Sequence, residues 1–169
     1  LFGSDAVGGV INLITRYSAG PAGGSAEVIS GTQGRLDLSG RVHGSVGKLS
    51  VLADGGRRQI EVTPGLSSES GAHSQQWDAL LKARYDASAH VALELSGLVL
   101  DEKQRWQSGQ LYNFADNLQL GGRLSAPVSL GTHRLTPTLY TSEFRHTPAR
   151  SSTDEITVPG NTETQRLVE

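Results

Sequence analysis

The chain has 169 residues, 21 of them Gly, with no Cys, no Met, 36% hydrophobic residues and a formal net charge of −2. That balance, with no basic block, argues against a nucleic-acid partner, and no apolar run approaches the ~18 consecutive residues of a membrane helix. A negative mean hydropathy still leaves a membrane β-barrel open, because barrel strands alternate lipid-facing and lumen-facing residues and average out as polar.

In chain order, the first segment is Leu1-Phe2-Gly3-Ser4-Asp5-Ala6-Val7-Gly8-Gly9-Val10-Ile11-Asn12-Leu13-Ile14-Thr15-Arg16. Gly3 and the Gly8-Gly9 pair supply positions where the backbone can turn or approach another backbone closely. Ser4 and Asp5 are turn residues whose side chains bond nearby backbone N–H groups. Val10 to Ile14 is apolar and β-prone apart from Asn12, which suits a strand packed on both faces. A Gly/Pro linker follows, from Ser18 to Gly24.

From there the chain breaks into segments of period two, the spacing of a strand with one apolar and one wet face. In Arg35 to His43, Leu36, Leu38, Gly40 and Val42 share one parity, and Arg35, Asp37, Ser39, Arg41 and His43 the other. Asn117 to Ala126 repeats the pattern with Leu118, Leu120, Gly122, Leu124 and Ala126 on its apolar side. Ser25–Thr32, Lys48–Arg58, Gln76–Tyr85, His90–Leu100 and Arg134–Arg145 are further strands, and another begins at Thr162. Each is near the ~9–11 residues a tilted strand needs to cross a bilayer. In Gln76–Tyr85 the lipid-facing parity is Trp77, Ala79, Leu81, Ala83 and Tyr85, with aromatics at both ends like the girdles of a membrane barrel. Arg134–Arg145 resists: Leu135, Pro137 and Leu139 have one parity and Tyr140 and Phe144 the other, so a bulge or a different register is needed.

The connections carry a second signal. After a tight first link at Gln33-Gly34, short links at 44–47, 86–89 and 127–133 alternate with long ones at 59–75, 101–116 and 148–161. Outer-membrane barrels alternate short periplasmic turns with longer extracellular loops, so the long links are expected outside. The fold class expected is all-β, an antiparallel up-and-down membrane β-barrel present in part as seven to eight strands.

Catalytic chemistry is not expected. His43, His73, His90, His133 and His146 are scattered, without an i,i+4 pair, so a metal site has little support. Gly44-Ser45-Val46-Gly47-Lys48 falls short of a phosphate loop, with Val42 and Leu49 where that motif needs Gly and Ser or Thr, and reads as a tight turn. Asp101-Glu102-Lys103 and Asp154-Glu155 fall in expected loops as solvated charge. Weak ligand candidates are Arg58, Arg105, Trp106 and Tyr112, in the expected extracellular loops with Phe114 nearby; cations beside flat apolar rings suit an anionic or aromatic ligand. The competing reading makes the aromatics an outer girdle and has the arginines meet lipopolysaccharide phosphates.

Leu1 to Arg16 also resembles the closing segment of the plug domain in TonB-dependent outer-membrane receptors, a (Leu)-(Tyr/Phe)-Gly-Ser-x-Ala-x-Gly-Gly-Val-Ile-Asn-Ile-Ile-Thr pattern carried here by Gly3, Ser4, Ala6, Gly8, Gly9, Val10 and Asn12. The resemblance implies a plug end at 1–17, a linker at 18–24 and the N-terminal part of a 22-stranded plugged barrel at 25–169. It places the coupling box and most of the plug upstream. It implies energised uptake of a scarce substrate such as a ferric siderophore, haem, cobalamin or a glycan across the bacterial outer membrane. Partners would be the lipid bilayer, lipopolysaccharide, the TonB complex and a transported ligand, with no resident cofactor. The detailed match covers only the opening segment. A passive porin or adhesin-like barrel, or a soluble β-sandwich binding module, is the alternative.

Overall fold

The computed structural model describes residues 20–62, 72–151 and 163–168. The glycine-rich opening motif at 1–16, with Gly3, Ser4, Ala6, Gly8, Gly9, Val10 and Asn12, lies outside them, as does Asp154-Glu155. The described residues form ten strands: β1 (Gly23–Ser30), β2 (Leu36–Val46), β3 (Leu49–Val62), β4 (Ala72–Asp86), β5 (Ala92–Ser108), β6 (Leu111–Ser125), β7 (Val128–Leu130), β8 (His133–Leu135), β9 (Thr138–Ser151) and β10 (Glu163–Val168). Eight of them make one antiparallel up-and-down sheet in the order β1-β2-β3-β4-β5-β6-β9-β10, and β7 and β8 pair with each other as a separate hairpin. The all-β, antiparallel meander expected from the alternating pattern is thus present. The sheet is not closed: β1 and β10 are its two edges.

Three two-residue turns share one device. Gly47, Gly109 and Gly131 each have φ near +60° at the first turn position, joining Val46 to Leu49, Ser108 to Leu111 and Leu130 to His133 as paired residues. A positive φ at that position matches the turn's twist to that of the strands and is open to Gly without steric cost. The tight turn expected at Gly44 to Gly47 is therefore centred one step later, on Gly47-Lys48, while Gly44 to Val46 belong to β2.

Two expectations are corrected. The long loop expected at 101–116 is not a loop, because β5 runs on to Ser108 and β6 starts at Leu111. Polar residues on both faces hid the strand there, since alternation is visible only where one face is apolar. The strand expected from Arg134 to Arg145 is split. His133–Leu135 pairs back on Val128–Leu130, and β9 begins only after Pro137, which has no N–H to place in a ladder. Between β6 and β9 the register is continuous from Tyr112↔Ser151 to Ser125↔Thr138. It contains no bulge, and the mixed parity of that segment is real.

A single sheet has no second layer to pack against, and the burial reflects it. Among the described residues the buried apolar side chains are Leu52, Ala92, Phe114 and Ala115, and no side chain is completely buried. A sheet in water must cover one face with another element; here neither face is covered.

Candidate functional site: an uncharged band backed by a polar wall

Register partners in an antiparallel pair project to the same face, so the pairing sorts every strand residue. One face carries Ala26 and Val28 of β1; Leu38, Gly40, Val42, Gly44 and Val46 of β2; and Leu49, Val51, Ala53 and Gly55 of β3. It continues with Trp77, Ala79, Leu81, Ala83 and Tyr85 of β4, Leu93, Leu95, Gly97 and Val99 of β5, and Leu118, Leu120, Gly122 and Leu124 of β6. From the Ala79 level to the Tyr85 level the band holds no charged residue across β1 to β6; at the Trp77 level Arg57 and Asp101 stand among Leu38, Trp77 and Leu118. Its large side chains are open to the surroundings: Trp77 is 52% exposed, Leu81 49% and Leu95 51%. From Trp77 to Tyr85, eight steps of ~3.3 Å tilted by ~40° span ~20 Å, close to the ~25 Å apolar belt of an outer-membrane barrel. Small residues sit in its middle, and a groove of about 660 Å³ crosses it over Ala53, Ala79, Gly97 and Gly122.

The opposite face of the same strands carries their charges and amides, with Leu52, Leu80, Leu98 and Leu100 among them. Arg41 Nε donates to Asp54 Oδ2 at 2.7 Å and Arg84 Nη1 to Glu94 Oε1 at 2.7 Å. Ser125 Oγ donates to the other oxygen of Glu94 at 3.3 Å. Farther along, Gln104 and Asn117 donate to the two oxygens of Glu102 at 2.8 and 3.2 Å, and His146 Nδ1 lies 2.6 Å from Asn117 Oδ1. That contact requires the Nδ1–H tautomer of His146. Arg150 Nε donates to Asn113 Oδ1 at 3.0 Å. Most of these are direct register partners, which explains why sequence reasoning missed them: alternation tells the face, while only the pairing tells which acid meets which base.

On the apolar face, the belt ends abruptly past Trp77. Arg57, its register partner, stacks over the indole with the guanidinium carbon 5.1 Å from the ring centroid. Beyond this level the face turns polar, with Gln59, Gln75, Lys103 and Asp116 in successive strands. Strands β3 to β6 therefore overhang the band on the side of the 63–71 connection and the Gly109 turn.

The four weak ligand candidates lie on strands in this overhang and are divided between the faces. Arg58 on β3 sits on the polar wall between register partners Asp37 and Gln76. Trp106 on β5 is on the same wall, opposite Asn113. Arg105 and Tyr112 project to the other face, Arg105 between His73 and Phe114 and Tyr112 between Gln107 and Ser151. The structure therefore does not gather them into one site. Among the described residues no group of three His, Asp or Glu side chains could hold a metal ion.

No family model, curated protein or solved structure matches this chain.

Proposed function

We propose that this chain forms part of the wall of a TonB-dependent outer-membrane receptor, preceded by the end of its plug. The observation that carries the membrane reading is the uncharged, exposed band across β1 to β6, backed by a wall of ion pairs. A bilayer supplies the missing second layer on one side, and a water-filled, plugged lumen solvates the other. The alternative of a soluble sandwich module needs a second sheet over the band, and the described strands offer beside the main sheet only the short β7–β8 hairpin. The short turns at Gly47-Lys48 and 87–91 then face the periplasm, and the overhanging ends of β3 to β6 stand outside. The receptor assignment rests on Leu1 to Arg16, with the stretch from Tyr17 to Ala22, which ends where β1 begins, as the tether from plug to wall. Energised uptake of a scarce substrate follows from it.

The test is uptake by cells producing the intact protein from its full reading frame, with and without a collapsed proton gradient. A coupled receptor stops accumulating its substrate when the gradient is removed, while still binding it. Accumulation that is indifferent to the gradient, with free passage of small solutes, identifies the passive porin instead.

A further inference from the structure

The uncharged band of β1 to β6 is interrupted where the sheet continues into its last two strands. Level with Val99 and Leu120 the register places Glu143 of β9, followed by Arg166 of β10, and one step farther lies Arg145. Glu143 accepts from both arginines, so the three form one charged cluster at the Trp77 end of the band, with Arg145 at the boundary and Glu143 and Arg166 one row inside it. The aromatic residues of β9 do the reverse. Tyr140 pairs with Arg123 and Phe144 with Gln119, both on the polar wall. A hydrocarbon phase penalises both placements, since a charge on the lipid face costs more with every step inside the boundary and aromatic rings are favoured at the interface.

We propose that the β9–β10 hairpin has a second register, one residue along β6, which it adopts when the band meets a bilayer. A one-residue step moves every side chain of a strand to the other face. Replacing Leu124↔Leu139 by Leu124↔Tyr140 puts Tyr140 beside Leu124 and Phe144 beside Leu120, within the band. Glu143 and Arg145 pass to the polar wall. Arg166 follows them, because β10 keeps its pairs with β9, and the charged cluster stays intact. Leu139, Thr141 and Val168 leave the band in exchange, while His146 and Glu163 move from the wall to the Trp77 level and Arg150 to the polar overhang beyond it, giving up the contacts to Asn117 and Asn113. The step in this direction lengthens the connection after β6 and keeps Pro137 out of the ladder, whereas the opposite step would pair Pro137 with Ser125. The hairpin β7–β8, held to the main sheet only by Val91↔Val128 and backbone bonds such as Ser129 to His90, can accommodate the change.

The inference rests on the membrane reading, and its test separates the two. The chain has no native cysteine, and directly paired cysteines lie at disulfide distance. Three double variants of the intact protein are compared in lipid vesicles under mild oxidation: Leu124→Cys with Leu139→Cys, with Tyr140→Cys, and with Thr138→Cys. A fourth, Leu95→Cys with Leu124→Cys, reports the β5–β6 pairing and must cross-link throughout. The expected result is cross-linking through position 140 and loss of the bond at 139. Persistence of the 139 bond, or a bond at 138, overturns the second register. If a lipid-borne quencher reaches a label at Leu81 while the 139 bond persists, the membrane reading stands and only the register change is refuted.

Discussion

Placing a charge in the middle of the band separates a bilayer-facing surface from a water-facing one. Leu81 lies four residues from both Trp77 and Tyr85 on β4, so it sits ~10 Å from either boundary of a tilted ~20 Å belt. Its exposed side chain has Ala53 and Gly97 as register partners. In water, Leu81→Arg is a surface change and stays within about 0.5 kcal/mol. At a bilayer midplane it costs roughly 2–4 kcal/mol, which at ~1.4 kcal/mol per tenfold shifts the folding equilibrium by about thirty-fold to several hundred-fold. Gln75→Arg, on the same face but beyond Trp77, is the control and costs roughly 0–1 kcal/mol near the interface. The assay is denaturant titration of the intact protein folded into vesicles, with the variants compared at equal lipid. Equal midpoints for Leu81→Arg and Gln75→Arg would refute the depth argument.

Other perturbations probe the wall, the turns and the opening motif. Arg84→Ala removes the ion pair of Glu94, whose side chain is 14% exposed, and leaves it the Ser125 hydroxyl and the nearby Lys82 charge, at a cost of roughly 1–3 kcal/mol; Arg84→Ala with Glu94→Gln should recover part of it in the same titration. Gly47→Ala meets no atom within 4 Å, so the strain of φ +59° is the whole effect and should lower stability by roughly 1–2 kcal/mol, with Gly47→Asn milder. Deleting Gly8-Gly9 from the intact protein should misplace the plug, giving a leaky pore or no folded protein; normal uptake with intact antibiotic exclusion would count against a plug role for that motif.

How far the sequence revealed the fold depends on the contrast between a strand's two faces. Arg35 to His43 and Asn117 to Ala126 alternate cleanly, and β2 and β6 contain all of them but Arg35 and Ala126. Trp77 to Tyr85 was legible down to the parity of each residue, because bulky apolar side chains alternate with Asp78, Leu80, Lys82 and Arg84 across β4. The ends of β5 and β6 were not legible. From Asp101 to Gln107 both faces are polar, so period two leaves no hydropathy trace and the segment looks like a loop. That error carried Arg105, Trp106 and Tyr112 into one imagined loop, whereas adjacent residues on a strand face opposite ways. The mixed parity of Arg134 to Arg145 was visible in the sequence, and its cause is the break at Pro137 together with the register of β9.

The central claim is that the uncharged band on one face of β1 to β6 meets hydrocarbon and the opposite face does not. Single cysteines at Leu81 and at its neighbour Lys82, labelled with a small fluorophore in the intact protein, place one probe on each face. In vesicles of lipid brominated at mid-chain, the label at Leu81 should be strongly quenched and the label at Lys82 should not. Equal quenching at the two positions, or none at Leu81, would contradict a membrane wall built from these strands.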